Sequence, residues 1–235
     1  AYELDGTLAS TKTGCIANAG PTQSCSVIGL TNGVTYVLKV AAITQAGLGQ
    51  LSASSSEVTP ASNPEAVGNL VAFEGNAQLT ITWTPPTSLG GGTFDQYRIF
   101  WRAPGGSYQA NGSPGGTVGN QASTSFVITG LTNGVAYDVK VTTVTSVNTL
   151  ELQSNTAEVR QTPFTVPDAP AAVVALDNDN NVVVAWQPPV FDGGNPIDQY
   201  VVEKDGNAVC TITSATTTSC EVTKPSPGTT SVIEV

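Results

Sequence analysis

A turn that occurs twice constrains the fold of this chain more than any other feature. Gly29-Leu30-Thr31-Asn32-Gly33-Val34-Thr35-Tyr36 returns 101 residues later as Gly130-Leu131-Thr132-Asn133-Gly134-Val135-Ala136-Tyr137. A period of about 100 residues is the size of a whole domain, whereas solenoid repeats span roughly 20–50 residues. The sequence therefore predicts a tandem array, with a complete middle unit (61–163) between a partial first unit (1–60) and a partial third unit (164–235).

Alternation of apolar and polar residues predicts strands in each unit. Leu79, Ile81 and Trp83 share one face of a segment whose other face carries Thr residues. A period of two is typical of a strand with one buried face. The same pattern predicts a strand over 36–40, whereas 145–152 is predicted to be a loop. About seven short strands per unit, separated by Gly and Pro turns, predict an all-β fold of tandem sandwiches.

Six residues are predicted to form the structural core because they recur at inward or corner positions. They are Trp83, Trp186, Tyr36, Tyr137, Leu30 and Leu131. The two Trp could instead be platforms for a ligand, but their inward alternation favours burial.

The four Cys form two pairs with the same spacing, Cys15 with Cys25 and Cys210 with Cys220. Each pair flanks a segment rich in Thr, Ser, Gly, Asn and Ala, which is typical of a hairpin. A zinc site would need closer Cys pairs or His, and the chain has no His. We therefore predict a disulfide within each hairpin, which indicates an oxidising, extracytoplasmic location.

The middle unit resembles a fibronectin type III domain, and the flanking units resemble parts of two more. The resemblance is carried by Leu-x-Ile-x-Trp-x-Pro-Pro at 79–86, by Asp-Gln-Tyr-x-Ile at 95–99, and by the repeated turn. It implies seven-stranded immunoglobulin-like sandwiches in which Tyr36 and Tyr137 form tyrosine corners, their hydroxyls bonded back to the backbone. The Cys hairpins look like those of type III modules in secreted bacterial surface proteins and enzymes.

Two units depart from the pattern of this family. Pro225 and Ser231 stand in the third unit where the repeated turn has its Leu and its Tyr. We therefore expect the third unit to lack the tyrosine corner and to need something else to complete it. In the middle unit, Phe126 stands where the second Cys of the hairpin would be.

Arg98, Phe100 and Arg102 are predicted to point outward from their strand. Together with Tyr108 they are the candidate contact surface, because an exposed Phe between two Arg suits an interface. The alternative is an ordinary surface, or one covered by a neighbouring loop.

Composition excludes several classes of function. A net charge of −10 with only eight scattered Lys and Arg argues against binding a nucleic-acid backbone. No apolar run of about 18 residues exists, so we expect no membrane insertion in this segment. Without His or evident pairs of carboxylates, no catalytic constellation is found, and we expect no metal and no cofactor.

These observations favour a non-enzymatic extracellular or cell-surface segment that acts as a spacer, adhesive stalk or interaction module. Its expected partner is a protein or polysaccharide at the cell surface. One alternative is an accessory module of a secreted polysaccharide-degrading enzyme. Another is self-association into an extracellular fibre completed by strand exchange. The absence of Met leads us to expect a processed or excised piece of a longer protein.

Overall fold

The computed structural model describes residues 2–3, 24–108, 116–226 and 230–235. These residues form strands, turns and loops. None of them belongs to a helix long and apolar enough to cross a membrane. The prediction of an all-β fold is confirmed.

The described residues contain eighteen strands. In the first unit they are β1 (Tyr2–Glu3), β2 (Tyr36–Val37), β3 (Ile43–Thr44) and β4 (Gly47–Leu48). In the middle unit they are β5 (Gly68–Gly75), β6 (Gln78–Thr84), β7 (Thr93–Arg102), β8 (Gly116–Val118), β9 (Ser125–Thr129), β10 (Tyr137–Val147), β11 (Leu150–Gln153) and β12 (Ala157–Gln161). In the third unit they are β13 (Ala171–Asn178), β14 (Asn181–Gln187), β15 (Tyr200–Lys204), β16 (Asn207–Ile212), β17 (Ser219–Thr223) and β18 (Ile233–Glu234).

The middle unit is a sandwich of two antiparallel sheets. One sheet has the order β5-β6-β9, and the other has the order β11-β10-β7-β8 with β12 also paired to β10. The inward residues of β6, β7 and β10, among them Ile81, Ile99 and Val139, are fully buried between the sheets. Burial of each such side chain contributes about 1.5–3 kcal/mol, so the alternation seen in the sequence is what closes the sandwich.

The segment 145–152 is mostly strand, so its prediction as a loop was wrong. β10 runs on to Val147 and returns through β11, with Val147 paired to Leu150. The turn between them needs only two residues because Asn148 adopts a left-handed backbone with φ 54°. Asn tolerates this conformation better than most residues, which permits a tight hairpin.

The third unit has its own core. Its sheets have the orders β13-β14-β17 and β16-β15-β18. Val184, Trp186, Tyr200 and Val202 are buried in a cluster separate from that of the middle unit. Each sandwich therefore packs around its own apolar residues.

The first unit has less regular structure than its sequence predicts. Of the strand predicted over 36–40, only Tyr36–Val37 is regular, and Val40 is 73% exposed. The backbone of 52–58 does run alongside, since the Ser52 and Ser55 N–H groups donate to carbonyls of this segment. The hydroxyls of the same two Ser accept from its N–H groups, so side chains take places that a regular ladder gives to backbone.

Candidate contact face

The predicted contact residues lie on the outer side of the sheet that contains β7, β10 and β12. On β7, Arg98, Phe100 and Arg102 are half-buried and alternate with inward Tyr97 and Ile99. Their neighbours on β10 follow from the register, which sets Lys140 opposite Phe100 and Asp138 opposite Arg102. We call this outer surface the contact face, and its residues are Arg98, Phe100, Arg102, Tyr108, Asp138, Lys140, Glu151, Glu158 and Arg160.

Arg98 makes a two-pronged ion pair at one end of the contact face. Its Nη1 and Nη2 donate to the two carboxylate oxygens of Glu151 on β11, at 2.9 and 2.7 Å. The side chain of Arg98 is only 17% exposed. The hydrogen bonds from Arg98, with a further one from Gln153, hold the pKa of Glu151 below its usual value.

Asp138 is shared by two Arg at the centre of the contact face. Arg102 Nε lies 3.3 Å from one carboxylate oxygen, and Arg160 Nη1 lies 3.5 Å from the other. The three residues come from β7, β10 and β12, so the cluster ties three neighbouring strands together.

Tyr108 lies over two cations at the other end of the contact face. Its ring centroid is 4.4 Å from Arg102 Cζ and 4.5 Å from Lys140 Nζ. Lys140 also pairs with Glu158 at 2.7 Å. The hydrogen bond from Lys140 lowers the pKa of Glu158 and, in return, raises the pKa of Lys140. A cation held over an aromatic face contributes about 0.5–1 kcal/mol at an exposed site.

On the contact face, positive and negative side chains therefore alternate, and each Lys or Arg forms an ion pair with a carboxylate. It gathers half of the eight Lys and Arg of an otherwise acidic chain onto one sheet. Exposed ion pairs contribute only about 0–1 kcal/mol each, so their main effect is to orient the side chains. Alternation in the sequence predicts the outward residues on β7 but not their acidic partners Glu151 and Asp138, although Asp138 also stands at an outward position of an alternating strand.

The structure places the six predicted core residues at the centres and corners of their units. Trp83 and Trp186 are 3% and 4% exposed, and neither indole N–H has a hydrogen-bond partner among the described residues. Tyr36, Tyr137 and Leu131 are buried, whereas Leu30 is half-buried. Neither Trp is exposed enough to be a platform for a ligand.

The two Tyr of the repeated turn each accept a hydrogen bond from the backbone. The Thr31 N–H donates to the Tyr36 hydroxyl at 3.1 Å, and the Thr132 N–H donates to the Tyr137 hydroxyl at 3.0 Å. Each hydroxyl thus accepts a hydrogen bond from a backbone N–H group within its own turn.

In the third unit, Asp205 supplies hydrogen bonds next to the position where the tyrosine of the corner is missing. The carboxylate of Asp205 accepts from the Val232 N–H at 2.9 Å, and the Asp205 N–H donates to the Val232 carbonyl at 2.9 Å. The bond to Val232, with one from Ser231, lowers the pKa of Asp205. This pairing holds the segment that leads into β18 without a Tyr at position 231.

A disulfide joins Cys210 to Cys220 in the third unit. It links β16 to β17 and so connects the two sheets, with Cys210 opposite Val202 and Cys220 opposite Val184. Cys25 is also disulfide-bonded, and its expected partner Cys15 lies outside the described residues.

The middle unit fills the place of this disulfide with an aromatic ring. Gly116 lies opposite Ile99 and Phe126 opposite Ile81, which are the registers that Cys210 and Cys220 have in the third unit. A Cβ on Gly116 would lie 2.2 Å from the Phe126 ring, so the ring needs the glycine. The ring also packs against Trp101, with the centroids 6.5 Å apart.

A comparison with protein-family models agrees with this architecture. The family model described as "Fibronectin type III domain" matches residues 63–160 and 168–235, which is well over half of the chain. The chain therefore belongs to the fibronectin type III family, as its turn and strand motifs predict.

Several curated proteins are similar to parts of the chain. A Kelch domain-containing protein of Saccharolobus solfataricus is 29% identical over 66% of this chain and 20% of its own length. Myomesin-2 of Homo sapiens is 25% identical over 87% of this chain and 15% of its own length. Roundabout homolog 3 of Homo sapiens is 30% identical over 54% of this chain and 9% of its own length. The chain thus spans a small part of each of these relatives.

Solved structures of tandem fibronectin type III segments are also similar. A two-domain segment from chicken tenascin has a TM-score of 0.35 and 22% identity, and the match covers 69% of this chain and 85% of that one. The central fibronectin-III array of RIM-binding protein has a TM-score of 0.33 and 21% identity, over 68% and 57% of the two chains.

Proposed function

We propose that this chain is a non-enzymatic segment of a longer extracellular or cell-surface protein, in which it spaces and presents interaction surfaces. The observation that carries the proposal is the succession of two matched family units, each with its own core, joined by a linker of only a few residues. We place the units at 1–60, 61–163 and 164–235, because Thr-Pro ends both the first and the middle unit. Short linkers between compact sandwiches favour an extended, mechanically simple arrangement.

Exchange of the segment tests the spacer role within the parent protein. Three versions are compared at the cell surface: the native protein, one lacking residues 1–235, and one carrying an unrelated stiff rod of equal length. A spacer role predicts that deletion abolishes the function of the parent protein and that the rod restores it. Failure of the rod to restore any function would contradict a spacing role.

The extracellular setting is supported by the disulfides at Cys25 and at Cys210–Cys220. Thiol trapping in intact producing cells checks it, because Cys exposed to the cytosol would be alkylated without prior reduction. The proposal expects alkylation only after a reductant is added. Free thiols in untreated cells would contradict it.

We further propose that the contact face binds a protein partner at the cell surface. Its support is the ordering of Arg98, Arg102 and Tyr108 by ion pairs and ring contacts, since pre-ordered side chains lose less entropy on binding. Arg and Tyr are also the residue types that most often dominate interface energetics.

Binding of the labelled chain to producing cells tests the contact face. The double variant Arg98→Ala, Arg102→Ala is expected to lose at least about tenfold in affinity, because truncating a central Arg often costs 2 kcal/mol or more. Phe73→Ala is the matched control, since Phe73 is 53% exposed on the opposite sheet. Equal loss in both variants, or loss in neither, would refute the assignment of the partner to this face.

A further inference from the structure

At both unit boundaries, a pair of glycines in one unit lies against the turn of the preceding unit and against the linker. At the first boundary, Asn32 and Gly33 of the repeated turn meet Gly91 of the loop before β7, and Gly90 lies against Ser62 of the linker. A Cβ on Gly91 would lie 2.3 Å from the Gly33 nitrogen and 2.5 Å from the Asn32 carbonyl carbon. Real Cβ atoms do not approach backbone so closely, so the two backbones touch only because Gly91 has no side chain.

The linker is held between the turn and the glycine pair by backbone hydrogen bonds. The Gly33 N–H donates to the Pro60 carbonyl at 2.9 Å, and the Ser62 N–H donates to the Gly90 carbonyl at 3.0 Å. The Asn32 side-chain amide also donates to the Ser62 hydroxyl at 3.1 Å. The linker is thus hydrogen-bonded both to the unit before it and to the unit after it.

The second boundary repeats this arrangement with different residues. The Gly134 N–H donates to the Pro163 carbonyl at 2.9 Å, and the Thr165 N–H donates to the Gly193 carbonyl at 2.9 Å. A Cβ on Gly194 would lie 2.3 Å from the Gly134 nitrogen, the same distance as at the first boundary. Two independent boundaries therefore share one set of contacts, which chance packing across a short linker would not produce.

We propose that each glycine pair, with its linker, is a docking site for the Asn-Gly turn of the preceding unit, and that this contact fixes successive units in one relative orientation. The occupant is the preceding like unit of the same chain, as seen at both boundaries. We call each such unit boundary a joint. The array is then a rod in which every unit has the same orientation relative to the unit before it. The proposal rests on the spacer role but has a separate test, because orientation is measured without reference to the function of the parent protein.

An Ala substitution at a joint glycine would have two effects that a test must separate: backbone strain in its own loop and a steric clash with the neighbouring unit. Gly91 and Gly194 have φ angles of 88° and 86°, a left-handed backbone that strains any residue with a Cβ. Gly130 supplies a matched control, because its φ is 74° and nothing lies within 4 Å of its added Cβ. Gly130→Ala therefore introduces the strain without the clash.

Nitrogen-15 relaxation of the whole chain measures how the units tumble. In the wild type and in Gly130→Ala, amides of β6 and β14 are expected to report one shared rotational diffusion tensor. In Gly194→Ala the Cβ forces the joint open, so the correlation time of the third unit is expected to fall by roughly half as a unit of about 100 residues reorients separately. The amide spectrum of β14 in the same sample shows whether the third unit is still folded.

A second variant keeps the test decisive if strain at position 194 unfolds the third unit. Gly134→Ala approaches the same contact from the middle unit, with its Cβ 3.1 Å from the Gly194 Cα. Separate tumbling in either folded variant, with shared tumbling in Gly130→Ala, supports the docking site. Shared tumbling in all variants, or separate tumbling already in the wild type, overturns it.

Discussion

Tyr137→Phe removes one oxygen atom from the corner of the middle unit and leaves its ring in place. The hydroxyl accepts the Thr132 N–H at 3.0 Å, and the bond is partly shielded from solvent. The ring itself is buried, so its packing contribution is unchanged by the substitution. The expected cost is that of an N–H group left without a partner, about 1–3 kcal/mol.

Hydrogen exchange measures the loss of stability in the middle unit, and the third unit of the same chain serves as the reference. The most protected amides of β10 report the free energy of opening of the middle unit, and those of β14 report that of the third unit. Because 1.4 kcal/mol is a factor of ten, exchange of the β10 amides should accelerate roughly 5- to 150-fold. Exchange of the β14 amides should not change.

Tyr200→Phe is the matched control for this prediction. The Tyr200 hydroxyl is buried and has no hydrogen bond within the described part of the chain. Removal of an unpartnered buried hydroxyl is expected to leave protection of β14 unchanged or raised. If Tyr137→Phe left β10 protection unchanged, or if Tyr200→Phe cost as much, the reasoning on the tyrosine corner would be refuted.

Three further predictions concern the middle unit. Gly116→Cys with Phe126→Cys should form a disulfide whose reduction lowers the stability of the middle unit by about 2–3 kcal/mol, as read from hydrogen exchange of the β10 amides. In Phe126→Cys alone, a reductant should leave exchange of the β10 amides unchanged, although it also opens Cys210–Cys220 in the third unit. Arg98→Gln should raise the pKa of Glu151 in an NMR titration. Because the pKa of Glu151 is lowered in the folded state, its carboxylate stabilises the native state at pH values above the unfolded pKa, and this stabilisation is lost as the pH falls through the folded pKa. If the pKa of Glu151 did not move in Arg98→Gln, Arg98 would be excluded as the cause of the lowering. Ala77→Gly should stabilise the middle unit by up to about 1 kcal/mol in thermal unfolding. Ala77 has φ 53°, and the relief of its left-handed strain should exceed the conformational entropy that glycine adds to the unfolded chain. A lower unfolding temperature would contradict this.

Local sequence signals were sufficient to predict the sandwich of the middle unit. Alternation placed Leu79, Ile81 and Trp83 inward, and all three are buried. The repeated turn placed Tyr36 and Tyr137 together with their backbone partners at the corners. These features depend on residues close in sequence, so a pattern can reveal them.

Contacts between distant segments could not be predicted in the same way. The partner of Arg98 is Glu151, and this pairing depends on the register of β7, β10 and β11, of which β10 and β11 form a hairpin that local sequence patterns do not reveal. The joints were missed because Gly90-Gly91 reads locally as an ordinary loop. Its recurrence as Gly193-Gly194 was the available signal.

Residual dipolar couplings of the wild-type chain test the central claim most directly. They report the orientation of amide bonds in the middle and third units within one weakly aligned sample. An array with fixed joints predicts that a single alignment tensor fits both units with the relative orientation seen in the structure. Two tensors of different magnitude would show that the units reorient independently, and the account of this chain as a rod of docked units would be wrong.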